Sequence, residues 1–396
     1  MTELNLSDRE AAYKVRKEIW REYLQKQFED EVRKNEVESR VMKYQDVEMK
    51  YGLQIIGEPG ENGYPLFIAL HGGGYGDTPD INNQQWEHMA GYYKMGITSG
   101  VYVNPRGVRD TWDTHGNPES FPLYDRLIEN MIIFYNVDPN RVYLMGFSAG
   151  GDGAYLVAPR MADRFAAAHM SAGHHNGTSV TNLYNTPIQL QVGELDYAYN
   201  RHKVTAEYDF KLDELSKTYG GGYHHNVFIH YQKGHNFDDN KLNLQIVYAD
   251  NLAWYKQEVA ETITMDTNAI HFLERYTRNP LPARVVWDLG NRADLRNHTC
   301  FYWLKASRSV TEGEIVANYN KENNTITIEK DTVDGKFSIL VNEEMLNVFS
   351  PIRLVTPKGT FEVMPKLSKE LIYDTTNERG DYNYQFLTEI NYSNME

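Results

Sequence analysis

The run Gly146-Phe147-Ser148-Ala149-Gly150 sets a hydroxyl between two glycines, after the apolar stretch Val142-Tyr143-Leu144-Met145 and before the helix-like stretch GDGAYLVAPRMA. Serine in that context is a nucleophile presented to a ligand. Only small neighbours at Gly146 and Gly150 let a chain bend so sharply from strand to helix, and the bend exposes the hydroxyl at the carboxyl end of a sheet. The helix that follows aims its positive end and the Ala149 amide at the place where negative charge develops on a carbonyl oxygen under attack. A second glycine loop offers further donors. Leu66-Phe67-Ile68-Ala69-Leu70 runs into His71-Gly72-Gly73-Gly74-Tyr75, and Gly73 and Gly74 can bring backbone amides to an oxyanion without side-chain obstruction. His71, immediately before the glycines, suits a bracing hydrogen bond better than proton transfer. Tyr75 is a candidate pocket-lining residue.

The LHGGGYG loop and the stretch VDPNRVYLMGFSAGG together resemble the α/β-hydrolase superfamily, and within it the esterase branch of polyhydroxybutyrate depolymerase-like and feruloyl-esterase-like enzymes. The resemblance runs from about Pro65 to Phe237 and implies the chain order serine, acid, histidine. On that order the acid follows Pro187-Ile188-Gln189-Leu190-Gln191-Val192, where Gly193-Glu194-Leu195-Asp196 matches the family's Gly-x-x-Asp arrangement. Strand alternation places Glu194, the near competitor, less suitably, and a helix N-cap is the alternative role for Asp196. The base follows Val227-Phe228-Ile229-His230-Tyr231, and His235 stands in the loop just after Gly234. His235 would take the Ser148 proton and return it to the leaving alcohol while Asp196 holds the tautomer. His230, inside the strand, reads as structural.

Substrate recognition is expected on the long loop Pro105 to Gly116, where Arg106 or Arg109 could grip a carboxylate or sugar hydroxyls and Trp112 could stack on a ring. In the competing reading Arg106 and Asp110 merely stitch that loop together. His174 and His175, after the AAAHMS strand, also face the expected cleft. The adjacent pairs His174-His175 and His224-His225 point apart as sequence neighbours and lack a carboxylate-His spacing such as H-E-x-x-H, so neither a metal nor a cofactor is expected.

These residues need a scaffold. Short apolar segments (LFIAL, GVYVN, VYLMG, AAAHMS, IQLQV, VFIHY) alternate with helix-length stretches at Asn83 to Met95, Leu123 to Tyr135, Gly151 to Met161 and His202 to Thr218. That rhythm predicts an α/β fold of the α/β-hydrolase type: a mostly parallel eight-stranded sheet with helices on both faces, residues 41–264. VMKYQDVEM and LQIIGE, split by Tyr51-Gly52, predict an antiparallel hairpin leading into it. Ser7 to about Arg40, with Ala12, Val15, Ile19, Tyr23 and Phe28 on one stripe, predicts a long amphipathic helix, an N-terminal helical extension over residues 1–40 that packs on its own domain, with a homodimer contact or a cap over the site as the alternatives. From residue 265 to 396, β-like segments divided by turns (FYWLKA as one buried strand, NTITIEKD, FSILVNE, IRLVTP) leave little room for helices and predict a small β-rich accessory domain, entered through Asn279-Pro280-Leu281-Pro282.

A formal charge of −15 argues against nucleic acid or an anionic membrane as partner, no apolar run approaches about 20 residues, and one cysteine, Cys300, with no leader-like N-terminus, suggests a cytoplasmic protein. The expectation is a carboxylic ester hydrolase acting through an acyl-enzyme on a small-molecule ester, such as an acylated sugar or a phenolic ester. The alternatives are a serine peptidase of prolyl-oligopeptidase-like type, against which stands the lack of a large N-terminal propeller, and a non-catalytic binding protein on the same fold.

Overall fold

The computed structural model describes residues 8–73, 79–240, 244–246, 263–293 and 295–392. Residues 35–278 form one compact unit, and residues 1–34 with 279–396 form another.

The helices of the N-terminal segment are α1 (Arg9–Glu29) and α2 (Glu31–Ser39). The single long helix expected there breaks at Asp30, whose carboxylate accepts from the Val32 and Arg33 amides at 2.8 and 3.1 Å and so caps a new start. After α2 comes an eight-stranded sheet made of β1 (Val41–Tyr44), β2 (Val47–Ile56), β3 (Tyr64–Leu70), β4 (Gly100–Pro105), β5 (Val137–Phe147), β6 (Ala167–Ser171), β7 (Ile188–Gly193) and β8 (His225–His230). Its order is β1-β2-β4-β3-β5-β6-β7-β8. β1 pairs β2 and β2 pairs β4 antiparallel, and every other pairing is parallel. The eight strands and their mostly parallel pairing are those expected of the sheet from the sequence.

The hairpin at the start is real, but it turns at Gln45-Asp46, and β2 runs straight through Tyr51-Gly52. Gly52 serves a different purpose: a Cβ there would lie 2.2 Å from Asn104 Oδ1 on β4, so the glycine permits close passage rather than a turn.

The connecting helices are α3 (Pro79–Tyr92), α4 (Ser120–Tyr135), α5 (Ala149–Arg160) and α6 (Arg201–Tyr219). On β5, Tyr143 and Met145 join a core with Phe67, Met89, Tyr93 and Tyr102. Val142 and Leu144, equally buried, point by the strand's two-residue period to the other face, which is why the central strands read as unbroken apolar runs. A short ribbon of β9 (Leu244–Ile246) and β10 (Ile263–Met265) precedes α7 (Ala269–Leu273). The unit boundary falls at residues 278/279 rather than the expected 264/265, because Ile270, Phe272 and Leu273 of α7 pack into the same core as Phe67 and Tyr143.

In the other unit, β11 (Arg284–Asp288), β12 (Cys300–Phe301), β13 (Leu304–Ala306), β14 (Glu314–Asn320), β15 (Thr325–Asp331), β16 (Phe337–Val341), β17 (Ile352–Thr356), β18 (Gly359–Val363) and β19 (Thr388–Asn391) make two sheets. Their orders are β11-β14-β15-β17-β18 and β12-β13-β16-β19. FYWLKA is buried but is not one strand: the chain turns at Tyr302-Trp303, and Trp303 Nε1 donates to Pro282 O at 2.8 Å. A helix α8 (Lys369–Arg379) stands where little room for one is expected, with Ser368 accepting from the Leu371 amide at its start and Gly380 left-handed at its end. α1 packs on α8, burying Ala12, Ile19 and Tyr23 but leaving Phe28 exposed. Arg16 lies on that buried stripe, and its guanidinium donates to Glu343 and Glu344 at 2.7 and 2.6 Å. Cys300 is buried, and burial pushes its thiol up, in keeping with a packing role. Among the described residues no helix is long and apolar enough to cross a membrane, and no cluster of His, Cys, Asp and Glu has metal-binding geometry.

Candidate active site

Four β-strand ends at one edge of the sheet build the site. β5 stops at Phe147 and α5 starts at Ala149, leaving Ser148 alone in the bend with φ 61° and ψ −120°, a conformation L-residues rarely adopt. The bend closes because its neighbours are glycines. A Cβ on Gly146 would sit 2.0 Å from Gly150 O, and one on Gly150 would sit 2.0 Å from Leu70 O at the end of β3. The Ser148 amide is engaged with Ser171 O on β6 at 2.9 Å. Ala149, in the first helical position, carries an N–H with no intrahelical acceptor, and Gly73 (φ 113°) stands across the same cavity.

Asp196 and His235 come to Ser148 from the loops after β7 and β8. His235 Nδ1 donates to Asp196 Oδ2 at 2.7 Å, which leaves Nε2 as the acceptor for the Ser148 hydroxyl at 2.8 Å. Asp196 is buried, whereas the His235 side chain is about a third exposed, 35%. The two loops are tied together. Leu195 N donates to Lys233 O at 2.8 Å, and Glu194, the competing acid, instead accepts from the Gln232 amide at 2.8 Å and braces the turn that carries His235. Gly193 permits this approach, since a Cβ there would meet Gly234 O at 2.1 Å.

His71 is a brace rather than a base. Its Nε2 accepts from the Gly107 amide at 3.0 Å, so the proton sits on Nδ1 and is donated to Gly72 O at 2.6 Å. Burial, reinforced by His115, holds its pKa well below the usual imidazole value. His115 in turn donates Nε2–H to His71 O at 2.8 Å, and burial lowers it to about 4.

Two cavities flank Ser148. The larger, ≈ 610 Å³, is lined by Gly73, Ser148, Ala149 and His235 together with Trp112, Asp152, His174, Asn176, Tyr199 and Arg201. The smaller, ≈ 450 Å³, shares Gly73, Ser148 and His235 but is walled by Ile81, Met89, Tyr92, Phe147 and Phe237. Of the expected recognition residues, Trp112 and His174 line the larger cavity. Arg106 and Arg109 do not. Arg106 pairs with Asp110 and donates to Asn83 Oδ1 at 3.0 Å, and Arg109 bridges Asp46 and Glu119 at 3.2 and 2.7 Å, so both arginines spend their donors on holding the loop. Gly74 and Tyr75 lie outside the described residues.

Sequence reasoning missed Asp152, Tyr199 and Arg201. Asp152 had a usable signal, since it stands four residues after Ser148 on α5 and so one helical turn along the same face. Arg201 had none: it is carried into place by Tyr199 and Asn200, two consecutive left-handed residues (both φ 55°) before α6. The smaller cavity was likewise invisible, because its walls come from α3, β5 and the loop after β8.

No protein-family model matches the chain. Among curated proteins the chain is similar to a bifunctional acetylxylan esterase/xylanase from Neocallimastix patriciarum, 34% identical over 105 residues, which are 26% of this chain and 15% of that protein. It is also similar to a probable feruloyl esterase C from Aspergillus terreus, 29% identical over 112 residues, 28% of this chain and 40% of that protein. The chain thus spans less than half the length of these relatives. Among solved structures it is similar to a thermostable esterase at 21% identity and TM-score 0.40, over 60% of this chain and 63% of the other. A poly(3-hydroxybutyrate) depolymerase from Bordetella parapertussis matches at 14% identity and TM-score 0.39, over 48% and 80%.

Proposed function

We propose that this chain hydrolyses carboxylic esters through an acyl-enzyme formed on Ser148. The observation that carries the reading is the continuous hydrogen-bonded series Asp196, His235, Ser148, with its serine held in a strained bend at the mouth of two cavities. Ser148 Oγ attacks the ester carbonyl carbon as its proton passes to His235 Nε2, and the carbonyl π pair moves onto oxygen. The resulting oxyanion is met by the Ala149 amide at the helix N-terminus and the Gly73 amide. Collapse of the tetrahedral species breaks the bond to the alkoxy oxygen, which leaves with the proton from His235. A water molecule then attacks the acyl carbon as His235 takes its proton, and Ser148 departs with that proton restored. Asp196 keeps Nδ1 protonated throughout and offsets the charge on the transient imidazolium.

A small or medium substrate such as an acylated sugar or a phenolic ester fits cavities of this size. The fluorophosphonate test is direct: wild type is expected to label and Ser148→Ala is not. Wild type should also turn over p-nitrophenyl esters and leave dipeptide amides almost untouched. Failure of wild type to label, or appreciable amide cleavage with negligible ester cleavage, would sink the proposal.

A further inference from the structure

The two cavities beside Ser148 differ in their charged groups, and the difference points to what the larger one binds. The smaller is walled by Ile81, Met89, Tyr92, Phe147 and Phe237 with the neutral polar side chains of Gln85 and Asn236 and with His88, and has no Asp, Glu, Lys or Arg among its described lining residues. The larger offers a cation, a carboxylate, a histidine and an amide between two exposed rings, Trp112 at 56% and Tyr199 at 69% exposure. An ester whose carbonyl sits at Ser148 places one half on each side.

Arg201 is the unusual member of the larger cavity. Its side chain is only 11% exposed, NH1 lies 3.7 Å from Asp196 Oδ1, and the guanidinium carbon stands 4.9 Å above the Tyr199 ring. Among the described residues its buried Nε–H has no acceptor, a condition that costs free energy unless something else supplies the acceptor. One of the residues that bring it there is strained: left-handed φ at Tyr199 is unfavourable for a bulky side chain, whereas Asn200 tolerates it. Asp152 is the complementary group. It accepts from the His174 amide at 2.8 Å and from Asn176 Nδ2 at 3.2 Å, yet burial still pushes its carboxyl above the usual range, with Arg201 among the groups pulling it back.

Charge selects among ligands. Arg201 faces two carboxylates, Asp196 and Asp152, so its positive charge is already matched and an anionic group gains little by entering. A neutral group that both accepts and donates gains from the guanidinium and the carboxylate together, and flat aliphatic C–H faces pack on aromatic rings. We propose that Arg201 and Asp152 form a specificity-determining pair that binds the hydroxyl-rich, uncharged half of the ester, such as a vicinal diol, between Trp112 and Tyr199. This deepens the ester-hydrolase reading and rests on it for turnover.

Three acetates with a common acyl group test it: ethyl acetate, glucose 6-acetate and the anionic O-acetylglycolate. Wild type is expected to prefer glucose 6-acetate over ethyl acetate in kcat/KM by about 10-fold or more, roughly the effect of one hydrogen bond to a charged group, with no such preference for O-acetylglycolate. Arg201→Met and Asp152→Asn should each collapse the glucose-to-ethyl ratio toward one, chiefly through KM, and Arg201→Lys should restore part of it. Because the readout is a ratio, a general loss of rate through Asp196 cancels. A wild-type ratio near one, an anionic preference, or a ratio unmoved in both variants overturns the pair. Calorimetric titration of glucose 6-acetate into Ser148→Ala separates this from the parent reading. Binding that Asp152→Asn abolishes in that background supports the pair even if wild type proves inert to esters, and absence of binding counts against it.

Discussion

Asp196→Asn is the most searching substitution, because the structure says which way the new amide will turn. In wild type, Asp196 gives Oδ2 to His235 Nδ1 at 2.7 Å and holds Oδ1 3.7 Å from Arg201 NH1. Asparagine has only one acceptor oxygen to offer. A cation on one side attracts that oxygen, and although 3.7 Å is beyond hydrogen-bond reach the charge–dipole attraction should face the amide oxygen to Arg201 and its NH₂ to His235. Nδ1 must then accept, the proton moves to Nε2, and the imidazole can no longer take the Ser148 proton. That bias, together with loss of the counter-charge to the imidazolium, should bring the fall in kcat to about 10⁴-fold, or about 5.5 kcal/mol. Activity should still exceed that of Ser148→Ala or His235→Ala, because a displaced base remains. The assay is steady-state hydrolysis of p-nitrophenyl acetate, repeated in Asp196→Asn/Arg201→Met, where removing the cation frees the amide to flip and should return part of the lost rate. A loss below about 10-fold in the single variant would refute the assignment of Asp196. A double variant no faster than the single would refute the tautomer argument.

Gly150→Ala should cost about 3 kcal/mol or more and abolish ester turnover, because the new Cβ would stand 2.0 Å from the Leu70 carbonyl, where no side chain can move aside; an unchanged denaturant midpoint would contradict this. Acid should destabilise the fold through its buried imidazoles: burial lowers both His115 and His230 from 6.5 to about 4. The unfolded chain binds protons there that the folded chain refuses, so stability falls as pH drops from about 6.5 to about 4, by about 1.4 kcal/mol per pH unit per group. Denaturant midpoints across that window should decline less steeply in His115→Gln, and an equal slope would count against the assignment. In the other unit, Arg16→Met strands Glu343, whose side chain is 2% exposed, and should cost about 3–5 kcal/mol. Adding Glu343→Gln should recover part of that loss in the same melt, since the buried charge is then gone.

How much of this was written in the sequence varies by distance along the chain. The central strands were legible because both faces of the sheet are buried, so VYLMG is apolar throughout; IQLQV is equally buried but carries Gln189 and Gln191, which hydrogen-bond each other. The hairpin turn was misplaced because Gly52 looks like a breaker, while its cause is Asn104 on another strand, 52 residues away. The broken α1–α2 helix hung on one capping aspartate that also fits an uninterrupted stripe. In the C-terminal unit, Ser368 and Gly380 did mark α8, but the surrounding β-like rhythm outweighed them.

The amino-acid sequence alone determined where the candidate nucleophile stands, since the demand for glycines around Ser148 is local: the clashes they avoid are with Gly150 and with the strand ending at Leu70. Chain order, through the family resemblance, narrowed the candidate acid and base to Asp196 and His235. Only the tertiary structure brought His235 within 2.8 Å of Ser148 across 87 residues, tied Glu194 to the loop that carries it, and used Arg106 and Arg109 to hold a loop rather than a ligand. It alone set Arg201 beside Asp196 and Asp152. The physical reason is that a strand–turn–helix bend is governed by contacts among near neighbours, whereas a binding cavity is the space left between loops whose side chains report nothing of one another until the sheet has brought their ends together.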